Sequence, residues 1–206
     1  MLICVMSLLT AALTDPSRYL FWITSRAAGT AALVLASATV GLGLVMGGKL
    51  VKRGGPDRRI IHEILSLSVM VAIAVHGLAL LGDTYLRPSV LDITVPFLFS
   101  YRTLATSIGI IAGWGMILLG LSYYLRTRIG QNRWKSIHRF TALMWLLGLV
   151  HALTAGTDAG QVWFIALIGI TAAPSAVLLL VRHGRRRPRT ELAQHSPAVR
   201  SVRAQS

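Results

Sequence analysis

Four histidines occur at matched intervals inside apolar segments of this 206-residue chain: His62 and His76 are fourteen residues apart, and His138 and His151 are thirteen apart. An imidazole within a membrane is costly unless something engages it, so an intramembrane histidine is a functional hypothesis by default. Two histidines on each of two helices are what two stacked haems would need as axial ligands. The chemistry that such sites would support is single-electron transfer across the membrane.

Five apolar segments are long enough to hold these histidines within a membrane. The chain is 54% hydrophobic with a mean hydropathy of +0.63, and a helix needs ~20 mostly apolar residues to cross the hydrocarbon. We therefore predict an all-α fold, an integral membrane helical bundle of about five transmembrane helices, or six if the N-terminal segment is included. The predicted spans are approximately Ala27–Gly48, Ile60–Leu81, Leu104–Leu125, Ile137–Ala155 and Val162–Val181.

The basic residues alternate from one side of the predicted bundle to the other. Seventeen of the 21 Lys and Arg residues fall in the first and third connectors and after the fifth span, and the opposite side has only Arg18, Arg26, Arg87 and Arg102. The positive-inside rule then places the N-terminus outside the cell membrane and the C-terminus in the cytoplasm. The basic clusters are interpreted first as topology signals that contact anionic lipids, and second as a docking surface for an acidic redox partner. Because the charges follow the span boundaries, we expect no nucleic-acid binding despite the net charge of +14.

The chain divides into three expected regions. Residues 1–17 are an N-terminal lead-in too short to span the membrane, 18–182 form the membrane domain, and 183–206 are a basic, disordered cytoplasmic tail. The longest external connector, Arg87–Arg102, is expected to lie on the membrane surface or to fold over the mouth of the bundle.

Cysteine usage limits the cofactors that the chain could hold. Cys4 is the only cysteine, so a disulfide, a cysteine-bound iron–sulfur cluster and a CxxCH site for covalent haem are all excluded within this sequence. A haem in this protein would therefore be bound non-covalently, as b-type haem.

The predicted topology matches the histidines by depth. The second and fourth spans run in the same direction, and at 1.5 Å per residue their histidines are separated by about 21 and 19.5 Å. His62 and His138 therefore share the cytoplasmic level and would hold an inner haem, whereas His76 and His151 would hold an outer one. Two centres at these levels divide a hydrocarbon core of ~30 Å into shorter electron transfers.

The thirteen-residue interval is harder to reconcile with a straight helix. At about 100° per residue, fourteen residues return to within about 40° of the same face, but thirteen leave about 140° between the two side chains. The fourth helix could be distorted between them, with Gly148 as a candidate. Alternatively, His138 lies in an irregular first turn, or the two haems contact different faces of the helix.

Other interpretations of these residues remain open. A histidine in a membrane helix is often a hydrogen-bonded packing residue, and a proton relay usually recruits buried carboxylates, which the centres of these spans lack. The glycine pairs Gly43 with Gly47 and Gly109 with Gly113 favour close helix packing, or they leave volume for a macrocycle. The cationic and polar candidates for haem carboxylates are Arg133, Lys135 and Arg139 inside, and Arg87, Tyr101 and Arg102 outside.

These residues resemble the ferric reductase-like transmembrane domain family, which includes ferric-chelate reductases, NADPH oxidases and the haem subunit of bacterial methionine sulfoxide reductase systems. The resemblance rests on the two histidine intervals, the thirteen-residue one included. It rests also on the run Arg133–Arg139, which is similar to the family's signature of tryptophan, three residues, histidine and arginine.

The resemblance implies two b haems, with His62 and His138 ligating the inner one and His76 and His151 the outer one. It also implies electron flow from a cytoplasmic flavin to an external acceptor. Oxidase and ferric reductase members carry a flavin and nicotinamide domain after the last span, which this sequence lacks, so a separate cytoplasmic flavoprotein reductase or a quinol is the expected donor. No catalytic acid or base is expected. The alternatives are a haem-free assembly or packing subunit and a quinol-oxidising diheme cytochrome.

Overall fold

The structure, a computed structural model, describes residues 19–47 and 56–184, and these ranges contain helices and no strand. The expected lead-in at 1–17, the first basic connector and most of the expected tail at 183–206 lie outside them. The helices are α1 (Leu20–Gly47), α2 (Pro56–Leu80), α3 (Val90–Thr94), α4 (Thr103–Leu121), α5 (Arg126–Ile129), α6 (Gln131–His138), α7 (Thr141–Ala155) and α8 (Val162–Gly184).

Five helical segments in the described ranges are long and apolar enough to cross a membrane: α1, α2, α4, α6 with α7, and α8. The predicted all-α membrane bundle is therefore confirmed. Helix α1 begins at Leu20, seven residues before the predicted start, so Phe21 and Trp22 lie in its first turn. Helix α4 ends at Leu121 rather than Leu125, where the Ser122 hydroxyl donates to the Leu119 carbonyl (2.6 Å) and satisfies a carbonyl of the last turn.

Four of the membrane helices form a closed ring. Helix α1 packs on α2, α2 on α4, α4 on α7, and α7 on α1, whereas α8 packs outside this ring, chiefly against α1. Helices α2 and α7 therefore occupy diagonal positions and are not close neighbours. A side chain that points inward from either of them faces the other across the middle of the ring.

The core of the bundle lies beside a buried tryptophan on α7. Trp145 is 1% exposed, and its indole N–H donates to the Ser37 hydroxyl on α1 (3.0 Å). The Ser175 hydroxyl on α8 donates to the Ser37 carbonyl (2.7 Å), so Ser37 joins three helices. Small residues at this crossing let the backbones approach closely, as is usual in membrane helix packing.

The outward faces of the bundle are apolar. Leu78, Leu118 and Ile170 are among many long aliphatic side chains that remain more than half exposed. A water-soluble monomer rarely shows contiguous apolar surface of this extent, whereas hydrocarbon solvates it without penalty. The exposed faces are therefore those of a lipid-embedded bundle.

The connector from Arg87 to Arg102 folds against the end of α4. Helix α3 begins with a capping box between Ser89 and Asp92, and the Trp114 indole on α4 donates to the Thr94 carbonyl (2.9 Å). The backbone N–H of Phe97 donates to the Ser107 hydroxyl on α4 (2.7 Å). We call the end of the bundle that carries this connector the connector end, and the other, which carries α5 and α6, the basic end.

Candidate functional site

The four histidines of α2, α6 and α7 meet in two facing pairs. The ring centroids of His62 and His138 are 6.3 Å apart near the basic end, and those of His76 and His151 are 6.3 Å apart nearer the connector end. The ring planes are inclined at 60° and 72° respectively. The structure thus brings the histidines together in the two combinations that their depths predict.

The separation within each pair is that of two imidazoles on opposite sides of one metal atom. A histidine nitrogen lies about 2.0 Å from a bound metal, and adding about 1.1 Å from each nitrogen to its ring centroid gives about 6.2 Å between centroids, close to the 6.3 Å of both pairs. A direct hydrogen bond between the two rings would bring the centroids to about 5 Å. The geometry therefore leaves room for a ligated atom between the rings of each pair.

Within the described ranges, no group of three or more His, Cys, Asp and Glu side chains could hold a metal ion. Protein sites for a bare ion such as zinc usually supply three or four ligands, so two isolated histidines fit such an ion poorly. Two axial nitrogens are sufficient when a planar macrocycle supplies the other four. Because α2 and α7 are diagonal in the ring of helices, the two histidines of each pair approach from opposite sides, and this donor set fits a haem better than a bare ion.

Backbone carbonyls of neighbouring helices orient three of the four rings. The Nδ1 atom of His76 lies 2.8 Å from the Ser25 carbonyl, that of His151 lies 2.8 Å from the Ala105 carbonyl, and that of His138 lies 3.3 Å from the Leu119 carbonyl. A carbonyl only accepts, so each bond places the proton on Nδ1 and leaves the Nε2 lone pair unprotonated. Metal-binding histidines commonly have this arrangement, which fixes both the tautomer and the ring orientation.

His62 is turned differently from the other three histidines. Its Nε2 and Cδ2 atoms, rather than Nδ1, lie toward Gly43 on α1, at 3.2 and 3.7 Å from the position of an added Cβ. Its Nδ1 has no hydrogen-bond partner among the described residues.

Glycines on α1 and α4 provide the space in which the rings lie. A Cβ added to Gly29 would lie 2.9 Å from Nδ1 of His76, and one added to Gly109 would lie closer still to Nδ1 of His151. The sequence left open whether such glycines serve packing or a macrocycle, and the structure shows that Gly109 makes room for an imidazole. Gly113 instead faces Ile73 at 3.4 Å, which is ordinary helix packing.

A break in the fourth span lies immediately after His138. Helix α6 ends at His138 and α7 begins at Thr141, with i→i−3 hydrogen bonds from Phe140 to Ile137 (3.0 Å) and from Ala142 to Arg139 (3.3 Å). Of the alternatives that the sequence left open, this break agrees with an irregular turn at His138, whereas Gly148, the candidate for a distortion, lies inside continuous α7. In this tighter turn each residue rotates about 20° further around the helix axis than in an α-helix. The extra rotation reduces the 140° angle between the two histidine side chains.

Trp134 is a site residue whose role the sequence did not reveal. Its ring stacks on His138 with the centroids 4.9 Å apart and the planes inclined at 26°. Its indole N–H donates to the Ser122 hydroxyl (3.1 Å). The signature motif places Trp134 one helical turn before His138, and that spacing was the only available sign that the two rings meet.

The cationic candidates for haem carboxylates are placed unequally. Arg102 lies at the start of α4, where its Nη1 donates to the Thr154 carbonyl (2.5 Å), one turn beyond His151. Arg139 bonds to the Lys135 carbonyl and the Ser136 hydroxyl of its own segment. Arg133 is exposed on α6. Of these three arginines, only Arg102 bonds to another membrane helix. Its partner is α7, near His151, at the connector end.

Comparisons of the chain with models of known protein families, with curated proteins and with solved structures gave no significant match. The relation to ferric reductase-like domains therefore stays a prediction from the histidine intervals and the Trp134–Arg139 signature.

Proposed function

We propose that this protein is a diheme b-type cytochrome that relays single electrons across the cell membrane. The observation that supports the proposal is the 6.3 Å separation of the ring centroids in both histidine pairs, which is close to the spacing that two histidines binding one metal atom would have. His62 and His138 would hold the inner haem, and His76 and His151 the outer one. Each haem iron supplies reversible one-electron oxidation and reduction.

The chain's own residues supply position and environment. The Ser25, Ala105 and Leu119 carbonyls hold the Nδ1 protons of three ligands, which keeps Nε2 available and raises the basicity of the ring. Between the two pairs, Val69 on α2 and Trp145 on α7 belong to one buried apolar cluster, which keeps the interior between the sites apolar. Arg102 would balance the carboxylate charge of the outer group at the connector end.

The distribution of charge supports the proposed orientation in the membrane, and the resemblance to ferric reductase-like domains supports the proposed direction of electron flow, from the cytoplasm outward. We place the basic end in the cytoplasm and the connector end outside the cell, by the positive-inside rule. Helices α5 and α6 carry exposed Arg128, Arg133 and Lys135 beside the inner pair, and the segment from Ser122 to Phe140 has no acidic residue. An acidic face of a separate flavoprotein reductase is the electron donor that this surface suits, while an external protein or small oxidant accepts the electron.

The proposal is tested by the haem content of the purified protein. Expression with ample haem should give a b-type Soret band and two haems per chain, as measured by pyridine haemochrome. His76→Ala and His151→Ala should each reduce the content to one haem, because either change removes an axial ligand of the outer site. His183→Ala, which changes a histidine at the end of α8 far from both pairs in sequence, is the matched control and should keep two.

A colourless wild-type protein would overturn the proposal. Two haems retained in both His76→Ala and His151→Ala would also overturn the assignment of the outer site. A purified flavin reductase with NADPH should reduce the oxidised protein, as followed by the haem absorption bands. Loss of these bands in the histidine variants would support the proposed donor.

A further inference from the structure

We propose that Gly29, Gly43 and Gly109 are positioning residues, each of which leaves an axial histidine free to approach a backbone carbonyl of the neighbouring helix; at His76 the Ser25 hydroxyl also lies 3.0 Å from the same Nδ1. The inference rests on the proposed function and extends it from the ligands to the neighbouring helices α1 and α4. It identifies what sets the strength of each ligand and therefore the reduction potential of each centre.

The two complete examples have the same local geometry. The carbonyl that accepts from His76 belongs to Ser25, and the glycine against the same ring is Gly29, four residues later. The carbonyl that accepts from His151 belongs to Ala105, and the glycine against that ring is again four residues later, at Gly109.

The α-helix explains why the interval is four. A helical carbonyl accepts from the N–H of the residue four positions later, so the side chain of that residue stands beside the carbonyl oxygen. Any Cβ at this position would occupy the space that the imidazole needs to reach the second lone pair. A glycine four residues after the carbonyl therefore leaves the most space for an imidazole that approaches the carbonyl oxygen from the side of the helix.

Helix α1 repeats this arrangement after fourteen residues. Ser25 and Gly29 are followed by Thr39 and Gly43, the same interval that separates His76 from His62 on the antiparallel helix α2. Gly43 lies against the edge of the His62 ring formed by Nε2 and Cδ2. A half-turn of this ring about χ2 puts Cε1 and Nδ1 on that edge, and the Thr39 carbonyl is then the expected acceptor for the Nδ1 proton.

His138 is the ligand that needs no glycine. Its acceptor, the Leu119 carbonyl, lies at the end of α4, where the backbone N–H of Tyr123 donates to Gly120 (3.1 Å) instead of to Leu119. The chain has already turned away at this point, so the residue four positions later does not stand beside the carbonyl. This exception follows from the same helix geometry, and it explains why only three of the four histidines have a glycine against the ring.

The test replaces each glycine by alanine and measures the two midpoint potentials together with the low-spin haem signals in electron paramagnetic resonance. The added methyl should push the ring away and lengthen the Nδ1 bond, which makes the imidazole a weaker donor and shifts the potential of that centre upward. Gly29→Ala and Gly109→Ala should change only the outer centre, and Gly43→Ala only the inner one. The expected order of effect is Gly109, then Gly29, then Gly43, following the closeness of the added Cβ to the ring.

Matched controls are available on the histidine helices themselves. A Cβ added to Gly148 on α7 or to Gly77 on α2 meets nothing within 4 Å, so Gly148→Ala and Gly77→Ala should leave both potentials and both signals unchanged. Unchanged spectra in Gly29→Ala and Gly109→Ala, or equal shifts in the controls, would overturn the proposal. Wild-type protein without haem would instead overturn the proposed function, so the two failures are distinguishable.

A double-mutant cycle covers the case in which Gly109→Ala is too unstable to load haem. If the methyl clashes with the His151 ring, then Gly109→Ala should lower the melting temperature in the wild-type background and have little effect in the His151→Ala background. An equal loss of stability in both backgrounds would mean that Gly109 serves helix packing, and the proposal would be wrong.

Discussion

The imidazoles of this protein are oriented by helices other than those that carry them. His76 belongs to α2 but bonds to α1 through Ser25, and His151 belongs to α7 but bonds to α4 through Ala105. Helices α1 and α4 therefore orient the paired histidines of α2 and α7. Metal sites generally depend on such outer hydrogen bonds nearly as much as on the ligands themselves.

Trp134 is expected to stabilise the inner ligand specifically. Trp134→Leu removes the stack on His138 and the bond to Ser122, which together are worth about 1–3 kcal/mol. Haem affinity at the inner site should therefore fall roughly 5- to 150-fold, as measured by haem retention during titration with a haem-scavenging apoprotein.

The outer site should be unaffected by that change. Trp134→Phe keeps an aromatic face against His138 and should retain more inner haem than Trp134→Leu. Trp163→Leu, a change at an exposed tryptophan of α8, serves as the control. Equal loss from both sites in Trp134→Leu would contradict a local role.

The sequence predicts the ligands much better than their supports. The four histidines are visible because imidazoles are rare within apolar helices and because the helical rise converts their intervals into depths. Every residue has a backbone carbonyl, so the identities of Ala105 and Leu119 give no sign that their carbonyls accept hydrogen bonds from histidines. Glycine is the partial signal, and it becomes interpretable only when the ring that faces it is known.

The break between α6 and α7 determines which way the fourth span presents its two histidines. The sequence offered an irregular turn at His138 as one alternative but could not single it out, because neither Arg139 nor Phe140 is a glycine or a proline. The tighter winding there is dictated by contacts of the folded bundle. His138 and His151 thus belong to two helices whose relative rotation is a tertiary property.

Inserting one residue into α7 should abolish haem binding at the outer site without affecting the inner site. A single alanine inserted between Gly148 and Leu149 rotates His151 by about 100° and moves it about 1.5 Å along the axis relative to His138. The outer haem should be lost while the inner haem is retained, as measured by haem stoichiometry and the number of redox transitions.

The same insertion after His151 provides the control. An alanine placed between Gly160 and Gln161, in the turn before α8, should leave both haems bound. Loss of the outer haem from this second variant as well would mean that α7 is not the rigid unit that presents His151.

At the scale of the whole molecule, composition and hydropathy were sufficient for the class of fold. Five apolar segments predicted five membrane helices, and their boundaries differ from the predicted ones most at Leu20 and Gln131. The diagonal placement of α2 and α7 could not be read from hydropathy, since all five segments are similarly apolar. It follows from which faces pack, through small residues and through the Ser37–Trp145 contact.

The proposed orientation predicts which connectors a membrane-impermeant reagent can reach. In a Cys4→Ser background, a cysteine at exposed Thr157, between α7 and α8, should react with an impermeant maleimide in intact cells. A cysteine at exposed Thr127, in α5, should react only after permeabilisation. The reverse labelling pattern would place the basic end outside and would contradict the proposed direction of electron flow.

Helix α8 lies outside the ring of α1, α2, α4 and α7, and this has a consequence for biosynthesis. A ribosome makes the chain from its N-terminus, so the four paired histidines, the carbonyls that orient them and the glycines that face them have all been synthesised before α8. Both histidine pairs are therefore complete in a nascent chain in which α8 has not yet been made. Helix α8 packs onto α1 from outside the ring, with the Ser175 hydroxyl donating to the Ser37 carbonyl.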